Sequence, residues 1–461
     1  MKKVAFHTLG CKLNYAETST MARNFEAHGY ERVNFDQQAD VYVINSCSVT
    51  ARADKKSEEA LKKARNQNPQ ARVVMVGCYA QLQPEKIARI RGIDLILGSN
   101  EKFRILDYLE KKEEKKKLQE KKLQLQEEEK KKLQLQEQEQ EEEKKLQEPE
   151  IHTCSPEDSR DYFPSFSYGD RTRSFLKVQD GCDYHCSYCT IPLARGKSRN
   201  QPISEIVEEA RVLADSGIKE IILTGVNIGD FGKSSGESFP ELIRALDQVP
   251  GIERYRISSI EPNLLSEEII DLVARSGKFL PHFHIPLQSG NDEILGRMRR
   301  RYRRSLFREK VEAVRQRLPE AFIGVDLIVG FPGEDEQRFN QTLEFLRGLD
   351  VSYYHTFSFS ARPNTPAYKM KSRVPDKVIK QRSHLVQQLA EEKKHTFYQR
   401  HLGQTREVLF EGSVKDERIA GFTDNYIRVE VPFQKSLPGA IHSVYLQEIT
   451  GRGTVKGLLV G

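Results

Sequence analysis

The sequence Gly181-Cys182-Asp183-Tyr184-His185-Cys186-Ser187-Tyr188-Cys189 carries three cysteines spaced C-x3-C-x2-C. It follows a short apolar run, residues 175–178, that is typical of a buried strand. Three thiolates on one tight loop can bind three irons of a cuboidal iron–sulfur cluster and leave the fourth iron open. A structural zinc ion is the alternative, with His185 as a fourth ligand, because such zinc sites have four closed ligands. The spacing favours the cluster.

The composition indicates a chain of several domains in a reducing compartment. It has 461 residues, a net charge of +6 and seven cysteines, an odd number. Only Val4-Ala5-Phe6 separates the first lysines from His7, which is too short for a secretory signal. No apolar run reaches the ~18 residues that a membrane span needs. We therefore predict a cytoplasmic protein that uses its cysteines for metal binding or catalysis.

Each of three strand-like segments near the N-terminus is followed by a cysteine. The pairs are 4–10 with Cys11, 41–46 with Cys47, and 73–77 with Cys78. Helical segments separate them, so the region 1–110 is predicted to form a parallel α/β sheet. Ligands bind at the carboxyl ends of such strands, and we expect the three cysteines to form a second metal site there. The alternative is that they are ordinary small apolar side chains of a core.

A low-complexity segment occupies residues 111–149. It consists almost wholly of Lys, Glu, Gln and Leu, and its unit Lys-Lys-Leu-Gln-Leu-Gln occurs at 121–126 and again at 131–136. This period of ten matches neither the seven- nor the eleven-residue repeat of a supercoil. We predict a solvated linker without a core of its own and assign it no function. Cys154, just beyond it, is the cysteine left over from the two groups of three.

Six repeats of strand and helix are predicted between residues 168 and 395. The strands are predicted at 175–178, 220–227, 254–261, 283–288, 322–330 and 352–360. Six repeats are too few for a closed eight-fold barrel and predict an open, partial (β/α)6 barrel with functional groups at the strand carboxyl ends. The cysteine loop follows the first strand, as this rule requires. The longest helix is predicted as one element over residues 292–318.

Four polar residues and one glycine near the carboxyl ends of the other strands are candidates to line the same site. They are Thr224, Gly225, Ser259, Glu261 and Gln288. For each one, ordinary loop chemistry or helix capping is the alternative.

A basic run lies within the predicted long helix. It contains Arg297, Arg299, Arg300, Arg301, Arg303 and Arg304, with few carboxylates nearby. A solvated helix face is the usual explanation, but this density of uncompensated charge favours contact with nucleic-acid phosphates. Beyond it, five short alternating strands in residues 396–461 predict a small OB-like β-barrel. Such barrels often bind oligonucleotides, although a plain docking domain is the alternative.

These motifs, in this order, resemble the radical S-adenosylmethionine (SAM) methylthiotransferase family. The spacing of Cys182, Cys186 and Cys189 is that of the radical SAM signature, and Tyr188 matches its aromatic position. The terminal barrel would correspond to the family's TRAM domain. Thr8-Leu9-Gly10-Cys11-Lys12-Leu13-Asn14 and Asn45-Ser46-Cys47-Ser48-Val49-Thr50 look like the branch that acts on threonylcarbamoyladenosine in tRNA. The branch that acts on isopentenyladenosine usually has Gln-Met-Asn after the first cysteine.

The resemblance implies a tRNA-modifying enzyme with two 4Fe–4S clusters and SAM. Cys182, Cys186 and Cys189 would hold the cluster that cleaves SAM, and Cys11, Cys47 and Cys78 an auxiliary cluster that carries sulfur. The reaction would add a methylthio group to C2 of N6-threonylcarbamoyladenosine at position 37 of tRNA. An electron donor such as flavodoxin or ferredoxin is also implied. Tyr188 and the five candidates named above, from Thr224 to Gln288, would then bind SAM.

Two competing interpretations remain at this point. The first is the same chemistry on isopentenyladenosine in tRNA. The second is a non-catalytic RNA-binding protein stabilised by a metal, which predicts zinc rather than iron.

Overall fold

The computed structural model of the protein describes residues 1–111, 149–155, 161–169 and 172–460. Its contacts divide the chain into two units. The first comprises Met1–Phe163 with Leu193–Gly196, and the second comprises Pro164–Pro192 with Lys197–Gly461. The predicted charged linker lies almost wholly outside the described residues. No helix in the described ranges is both long and apolar enough to cross a membrane.

A six-stranded parallel sheet forms the first unit. Its strands are β1 (Lys3–Thr8), β2 (Glu31–Val33), β3 (Val41–Ser46), β4 (Arg72–Gly77), β5 (Leu95–Leu97) and β6 (Glu150–His152). Its named helices are α1 (Lys12–Ala27), α2 (Ala51–Gln67), α3 (Cys78–Leu82) and α4 (Pro84–Ala88). The spatial order is β2-β1-β3-β4-β5-β6, and every neighbouring pair is parallel.

The predicted parallel α/β sheet is therefore confirmed, and its composition explains it. All six residues of β3 are buried, as are five of the six in β4. Strands covered on both faces are continuous apolar runs rather than alternating ones. Sequence analysis did not predict β2 or β6. The second of these lies beyond the charged segment and pairs with β5, so this sheet continues past residue 110.

Six parallel strands in chain order form the main part of the second unit. They are β7 (Ser174–Lys177), β8 (Glu220–Thr224), β9 (Arg254–Ile257), β10 (His282–Gln288), β11 (Phe322–Val329) and β12 (Tyr353–Ser358). They form two groups of three, which a parallel bridge between Ser259 and His284 connects. This arrangement confirms the predicted open (β/α)6 barrel.

Helices follow these strands in the chain. They are α5 (Ile191–Arg195), α6 (Ile203–Asp215), α7 (Phe239–Asp247), α8 (Glu267–Arg275), α9 (Asp292–Arg297), α10 (Arg304–Arg317), α11 (Glu336–Arg347) and α12 (Asp376–Gln399). The C-terminal part of α5, from Leu193 onward, belongs to the first unit. Side chains of α6, α7, α8, α10, α11 and α12 form one apolar core with alternate strand residues such as Ile221, Ile285 and Val325.

The prediction of a single helix over residues 292–318 is wrong, because two helices, α9 and α10, occupy that range. Arg299 has a φ of 59°, in the left-handed region. The N–H of Arg299 donates to the carbonyl of Gly296, and the N–H of Arg300 donates to the carbonyl of Leu295. These two bonds are those of a Schellman motif, which ends a helix by satisfying its last carbonyl groups. The basic run therefore turns instead of continuing along one helix face.

A closed five-stranded barrel lies at the C-terminal end, as predicted. Its strands are β13 (Thr405–Lys415), β14 (Arg418–Thr423), β15 (Arg428–Pro432), β16 (Ile441–Ile449) and β17 (Val455–Leu459), in the order β13-β14-β15-β17-β16. Alternate residues such as Val408, Val429 and Val444 are fully buried and fill its interior. Closure leaves no free strand edge.

A buried ion pair lies where the partial barrel contacts the small barrel. Arg256 of β9 donates through Nε to Glu220 of β8, at 3.0 Å, and both side chains are 1% exposed or less. The same guanidinium donates to the carbonyl groups of Asp424 and Thr423 in the small barrel. Burial and the Arg256 guanidinium act oppositely on Glu220, and the net effect is a lowered pKa.

We expect Glu220→Ala to destabilise the protein strongly. The change leaves the buried Arg256 without its carboxylate, which typically costs about 3–5 kcal/mol. Urea unfolding, monitored by circular dichroism, measures this loss. Glu208→Ala is the control, because the Glu208–Arg211 pair is well exposed and such pairs contribute about 0–1 kcal/mol. Equal stability of the two variants would contradict a structural role for the buried pair.

Candidate functional site

The three cysteines of the first unit follow three strands that are neighbours in the sheet. Cys11 is the N-cap of α1, Cys47 comes directly after β3, and Cys78 is the first residue of α3. In the parallel register Thr8 is opposite Asn45 and Ser46 is opposite Gly77. The strands therefore deliver all three cysteines to one edge of the sheet, where the sequence predicted them. We call Cys11, Cys47 and Cys78 the first triad.

Two glycines allow the chain to approach the first triad closely. Gly10 has a φ of 101° and Gly77 a φ of 95°, both in the region that favours glycine. A Cβ atom on Gly10 would lie 2.8 Å from the Sγ of Cys47 and 2.7 Å from its Cβ. A Cβ atom on Gly77 would lie 2.7 Å from the carbonyl oxygen of Ser46. Neither position has room for a side chain.

Two asparagines fix the loops around these cysteines. The Nδ2 of Asn14 donates to the carbonyls of Leu9, at 2.7 Å, and Ser46, at 3.2 Å. Asn45 donates in turn to the carbonyl of Asn14, at 3.0 Å. Both asparagine side chains are buried. Their amide groups thus satisfy the backbone carbonyls of Leu9, Asn14 and Ser46 where the chain turns.

Arg195 is a residue that sequence analysis missed. It is 1% exposed and belongs to the first unit, although it follows Cys189 by only a few residues in the chain. Its guanidinium donates to both carboxylate oxygens of Glu17, at 2.9 and 3.0 Å, and to Oδ1 of Asn14, at 2.8 Å. Lys102 donates to the same buried carboxylate at 2.5 Å. The result is a fully buried cluster of charges that Asn14 connects to the loops of the first triad.

The cysteine loop of the second unit carries Cys182, Cys186 and Cys189, which we call the second triad. The N–H of Tyr184 donates to the Sγ of Cys182, and the N–H of Ile191 donates to the Sγ of Cys189, each at 3.4 Å. His185 is exposed, whereas its neighbour Cys186 is buried. The two neighbours therefore lie on different sides of the loop, which does not suit His185 as a fourth ligand.

Gln179 holds the base of this loop and was also missed. Its side chain is fully buried just before the second triad. Its Oε1 accepts from the N–H groups of Val226, at 2.9 Å, and Asn227, at 2.8 Å. Its Nε2 donates to the carbonyl of Gly181 at 2.8 Å. One glutamine thus connects the cysteine loop to the carboxyl end of β8. The sequence did contain a signal for this role, because Gln179 is a polar residue between a buried strand and the cysteines.

Arg300 does not lie on the surface with the other arginines of the basic run. Its side chain is 4% exposed, and its Nη1 donates to the Sγ of Cys186 at 3.2 Å. The guanidinium also forms an ion pair with Glu261 and donates to the hydroxyl of Tyr302 at 3.1 Å. The turn at Arg299 directs it inward. Its position therefore suits the cysteine site rather than RNA.

Of the remaining candidate lining residues, two contact Arg300 and the others do not. Tyr188 and Glu261 meet at Arg300, whose Nη1 lies 3.5 Å from the Tyr188 hydroxyl. Thr224 instead bonds locally, since its hydroxyl donates to the carbonyl of Ile222. Gly225 packs on Gln179, and Ser259 forms the bridge to His284. Gln288 has a φ of 68°, and such unusual backbone conformations occur often at functional sites.

The other arginines of the basic run are exposed. They are Arg297, Arg299, Arg301, Arg303 and Arg304. Arg297 pairs with Glu293 at 3.2 Å, and Arg304 lies 3.7 Å from Asp292, so the run is less uncompensated than its sequence indicates. Arg301 stacks on the ring of Tyr184 at 3.9 Å. This stacking places one exposed cation beside the cysteine loop.

The thiols of both triads suit a cluster. Burial raises the pKa of Cys47 to about 12, the neighbouring Cys78 and Cys11 thiols add to this rise, and the Arg195 guanidinium opposes it. Burial likewise raises the pKa of Cys189 to about 12, with added effects of Cys186 and Cys182. All seven cysteines are free of disulfides. A metal bound by these thiols would therefore have to drive their deprotonation, which links affinity to proton release.

The choice between one zinc ion and a cluster depends on how the ligands are grouped. A zinc ion needs its ligands around one point. Within the described ranges, no three His, Cys, Asp or Glu side chains are grouped in that way. A cuboidal cluster takes each thiolate on a separate iron.

Comparisons with known proteins agree with this architecture. Residues 176–346 match the Radical SAM superfamily, and residues 3–98 match "Uncharacterized protein family UPF0004". A threonylcarbamoyladenosine tRNA methylthiotransferase of Bacillus subtilis is 36% identical over 96% of this chain and 93% of its own length. A tRNA-2-methylthio-N(6)-dimethylallyladenosine synthase of Syntrophotalea carbinolica is 31% identical over 90% of this chain and 89% of its own length.

A solved structure supports the fold as well. The radical SAM methyltransferase TsrM of Kitasatospora setae is similar with a TM-score of 0.54, over 79% of this chain and 77% of that one, at 15% identity. The fold and the cysteine loop thus define a radical SAM enzyme. The chain belongs to the methylthiotransferase family, and it is a tRNA methylthiotransferase whose cofactors are [4Fe–4S] clusters and SAM.

We expect Gly10→Ala to lower the iron content of the purified protein by about four atoms per chain. The new methyl group would displace Cys47 from its place in the first triad. Iron and sulfide analysis after anaerobic purification measures the effect. Gly29→Ala is a matched control, because Gly29 has a φ of 80° and nothing within 4 Å of a Cβ. Full iron content in Gly10→Ala would show that the close approach of Gly10 is not needed.

Proposed function

We propose that this enzyme adds a methylthio group to C2 of N6-threonylcarbamoyladenosine at position 37 of tRNA. The observation that supports this substrate is the identity of 35–36% over nearly the whole chain to three threonylcarbamoyladenosine tRNA methylthiotransferases. Relatives named for the dimethylallyl substrate are 29–31% identical. The sequence around Cys11 and Cys47 favours the same branch.

Each triad binds one cluster in this proposal. Three thiolates leave one iron of a 4Fe–4S cluster open, which is what both sites need. When bound, these clusters and SAM would supply the radical that activates C2–H, the sulfur atom and the methyl group. The second triad would hold the cluster that binds SAM, and the first triad the auxiliary cluster. The four domains expected from the sequence, 1–110, 111–149, 168–395 and 396–461, are part of the same proposal, with β6 (Glu150–His152) added to the sheet of the first domain.

The residues of the chain hold and orient these groups. Arg300 donates a hydrogen bond to the sulfur of Cys186, and hydrogen bonds to cluster sulfurs are one way in which proteins set reduction potentials. Tyr188 and Glu261 contact Arg300 at this site, and they are proposed to contact SAM together with Thr224, Gly225, Ser259 and Gln288. Gln179 keeps the cysteine loop in place.

Exposed arginines and the C-terminal barrel are proposed to bind the tRNA. Arg297, Arg299, Arg301, Arg303 and Arg304 are exposed, and the stacking of Arg301 on Tyr184 places this surface beside the cysteine loop. Phosphate contacts of this kind position a nucleic acid without reading its sequence. Flavodoxin or ferredoxin in the cytoplasm would provide the electrons.

We expect about eight irons per chain in the parent protein and about four in two triple variants. One variant replaces Cys182, Cys186 and Cys189 with alanine, and the other replaces Cys11, Cys47 and Cys78. The first should lose SAM cleavage. The second should keep SAM cleavage and lose methylthiolation. Iron analysis and mass spectrometry of digested tRNA measure these effects.

Other results would contradict either the proposed metal or the proposed substrate. Zinc in place of iron would support the non-catalytic RNA-binding interpretation. Methylthiolation of isopentenyladenosine but not of threonylcarbamoyladenosine would show that the substrate is wrong while the chemistry stands. Cys154→Ala serves as the control for removal of a cysteine as such.

We expect the double variant Arg299→Ala/Arg303→Ala to bind tRNA more weakly and with less dependence on salt. Removing one phosphate-binding cation should reduce the slope of log affinity against log salt by about 1. Fluorescence anisotropy at several salt concentrations measures this slope. The control is Arg211→Ala/Arg244→Ala, which removes the same charge from exposed positions outside the run. Equal slopes in the two double variants would exclude the basic run as a phosphate-binding surface.

A further inference from the structure

Two imidazole rings converge on one space inside the partial barrel. His284 lies on β10 and His355 on β12, and in the register His284 is opposite Gly324 of β11 while His355 is opposite Asp326 of the same strand. An ideal Cβ on Gly324 would lie 3.6 Å from the Nδ1 of His284 and 3.6 Å from the Nε2 of His355. A carbon of the Phe322 ring would lie 3.4 Å away, so these are ordinary contact distances and the position has room for a methyl group between the two ring nitrogens. We call His284, Gly324 and His355 the histidine cradle.

The cradle lies on the face of the sheet opposite the helices. Side chains alternate along a strand, and Phe283, Ile285 and Val325 are fully buried in the core beneath the helices. His284 and Asp326 point the other way, and their side chains are 21% and 22% exposed. They are therefore accessible from the concave side of the partial barrel.

Asp326 and ring stacking hold the two imidazoles in position. The Nε2 of His284 lies 2.8 Å from Oδ1 of Asp326, which fixes the ring and directs its Nδ1 toward the cradle. The His284 and His355 rings stack at 5.1 Å with an angle of 14° between their planes. Tyr353 packs edge-on against His355 at 4.8 Å. Such support is typical of a binding site with a fixed geometry.

A chain of neighbouring residues connects the cradle to the second triad. The backbone of His284 bridges to Ser259, two residues before Glu261. Tyr302, whose hydroxyl accepts a hydrogen bond from Arg300, donates at 2.6 Å to the carbonyl of Pro286, two residues after His284. Glu261 pairs with Arg300, which donates to the Sγ of Cys186. Backbone pairing and hydrogen bonds therefore connect the strand that carries His284 to the residues that contact Cys186.

We propose that the histidine cradle binds the polar N6 side chain of the substrate adenosine. This inference rests on the proposed function and names the residues that select its substrate. A threonylcarbamoyl group offers urea, hydroxyl and carboxylate groups, and two imidazole rings can form hydrogen bonds with such groups. An isopentenyl group is a hydrocarbon and can form no hydrogen bond with either ring.

This difference is large enough to determine the substrate. A site built to form hydrogen bonds rejects an analogue that lacks them far more strongly than an apolar pocket rejects an extra polar group. The free-energy cost arises because such an analogue displaces water from polar groups of the protein and forms no hydrogen bond with them. His355 and Gly324 are therefore specificity-determining positions, whereas the second triad performs the same chemistry on either substrate.

The test measures binding of anticodon stem-loop RNA by fluorescence anisotropy with the cluster-loaded enzyme. Three RNAs are compared, which carry adenosine, threonylcarbamoyladenosine or isopentenyladenosine at position 37. Gly324→Ala fills the cradle with a methyl group at ordinary contact distances, and His355→Phe replaces a hydrogen-bonding ring with an apolar one. Gly277→Ala is the control, because nothing lies within 4 Å of a Cβ there.

We expect the parent and Gly277→Ala to prefer the threonylcarbamoyl RNA over the unmodified one. In Gly324→Ala and His355→Phe this preference should fall by about tenfold or more, while binding of the unmodified RNA and iron content stay as in the parent. His355→Phe should also bind the isopentenyl RNA better than the parent. These readouts are independent of turnover.

Two outcomes would overturn the inference. An unchanged preference in both variants would show that the cradle does not hold the side chain. An equal loss of affinity for all three RNAs would show a merely structural role. In either case, formation of methylthio-threonylcarbamoyladenosine by the parent enzyme would leave the proposed function intact. A parent that modifies only isopentenyl RNA would refute the proposed function itself, and with it the inference.

Discussion

The parallel pairing of β1, β3 and β4 is the constraint on which the first triad depends. In a parallel sheet the strands run the same way, so whatever follows them in the chain is collected at one edge. The register of Thr8 with Asn45 and of Ser46 with Gly77 then fixes how far each cysteine extends beyond that edge. A slip of one residue would turn side chains to the other face. The separation of the three cysteines along the chain is unimportant by comparison.

Buried ion pairs lie beside both triads. Near the first triad, Glu17 has Arg195 and Lys102 as partners. Near the second triad, Arg300 has Glu261. A buried charge without a partner would be costly, and a paired one orients its neighbours without being strongly stabilising. The cations also act on neighbouring thiols, because Arg195 opposes the rise that burial causes in the pKa of Cys11, and Arg300 does so for Cys186.

The sequence was sufficient for the features that depend on local pattern. The alternation of strands and helices predicted both α/β regions, short alternating strands predicted the small barrel, and the position of cysteines after strands predicted the two triads. Prediction failed where long-range packing decides. Arg300 resembled any other member of a basic run, and only the left-handed conformation of Arg299 turns it inward. Arg195 and His355 carry no local signal, because their partners Glu17 and His284 are remote in the chain.

The place of residues 193–196 in the first unit has a consequence for synthesis. Glu17 is made early, and its partner Arg195 only after the cysteine loop of the second unit has been translated. Until then, Lys102 is the only one of these two cations that can reach the buried carboxylate. Domains generally fold as units during synthesis, but here the first unit cannot complete its interior before the second has begun. A fragment ending at Phe163 would therefore lack one partner of the buried Glu17 carboxylate.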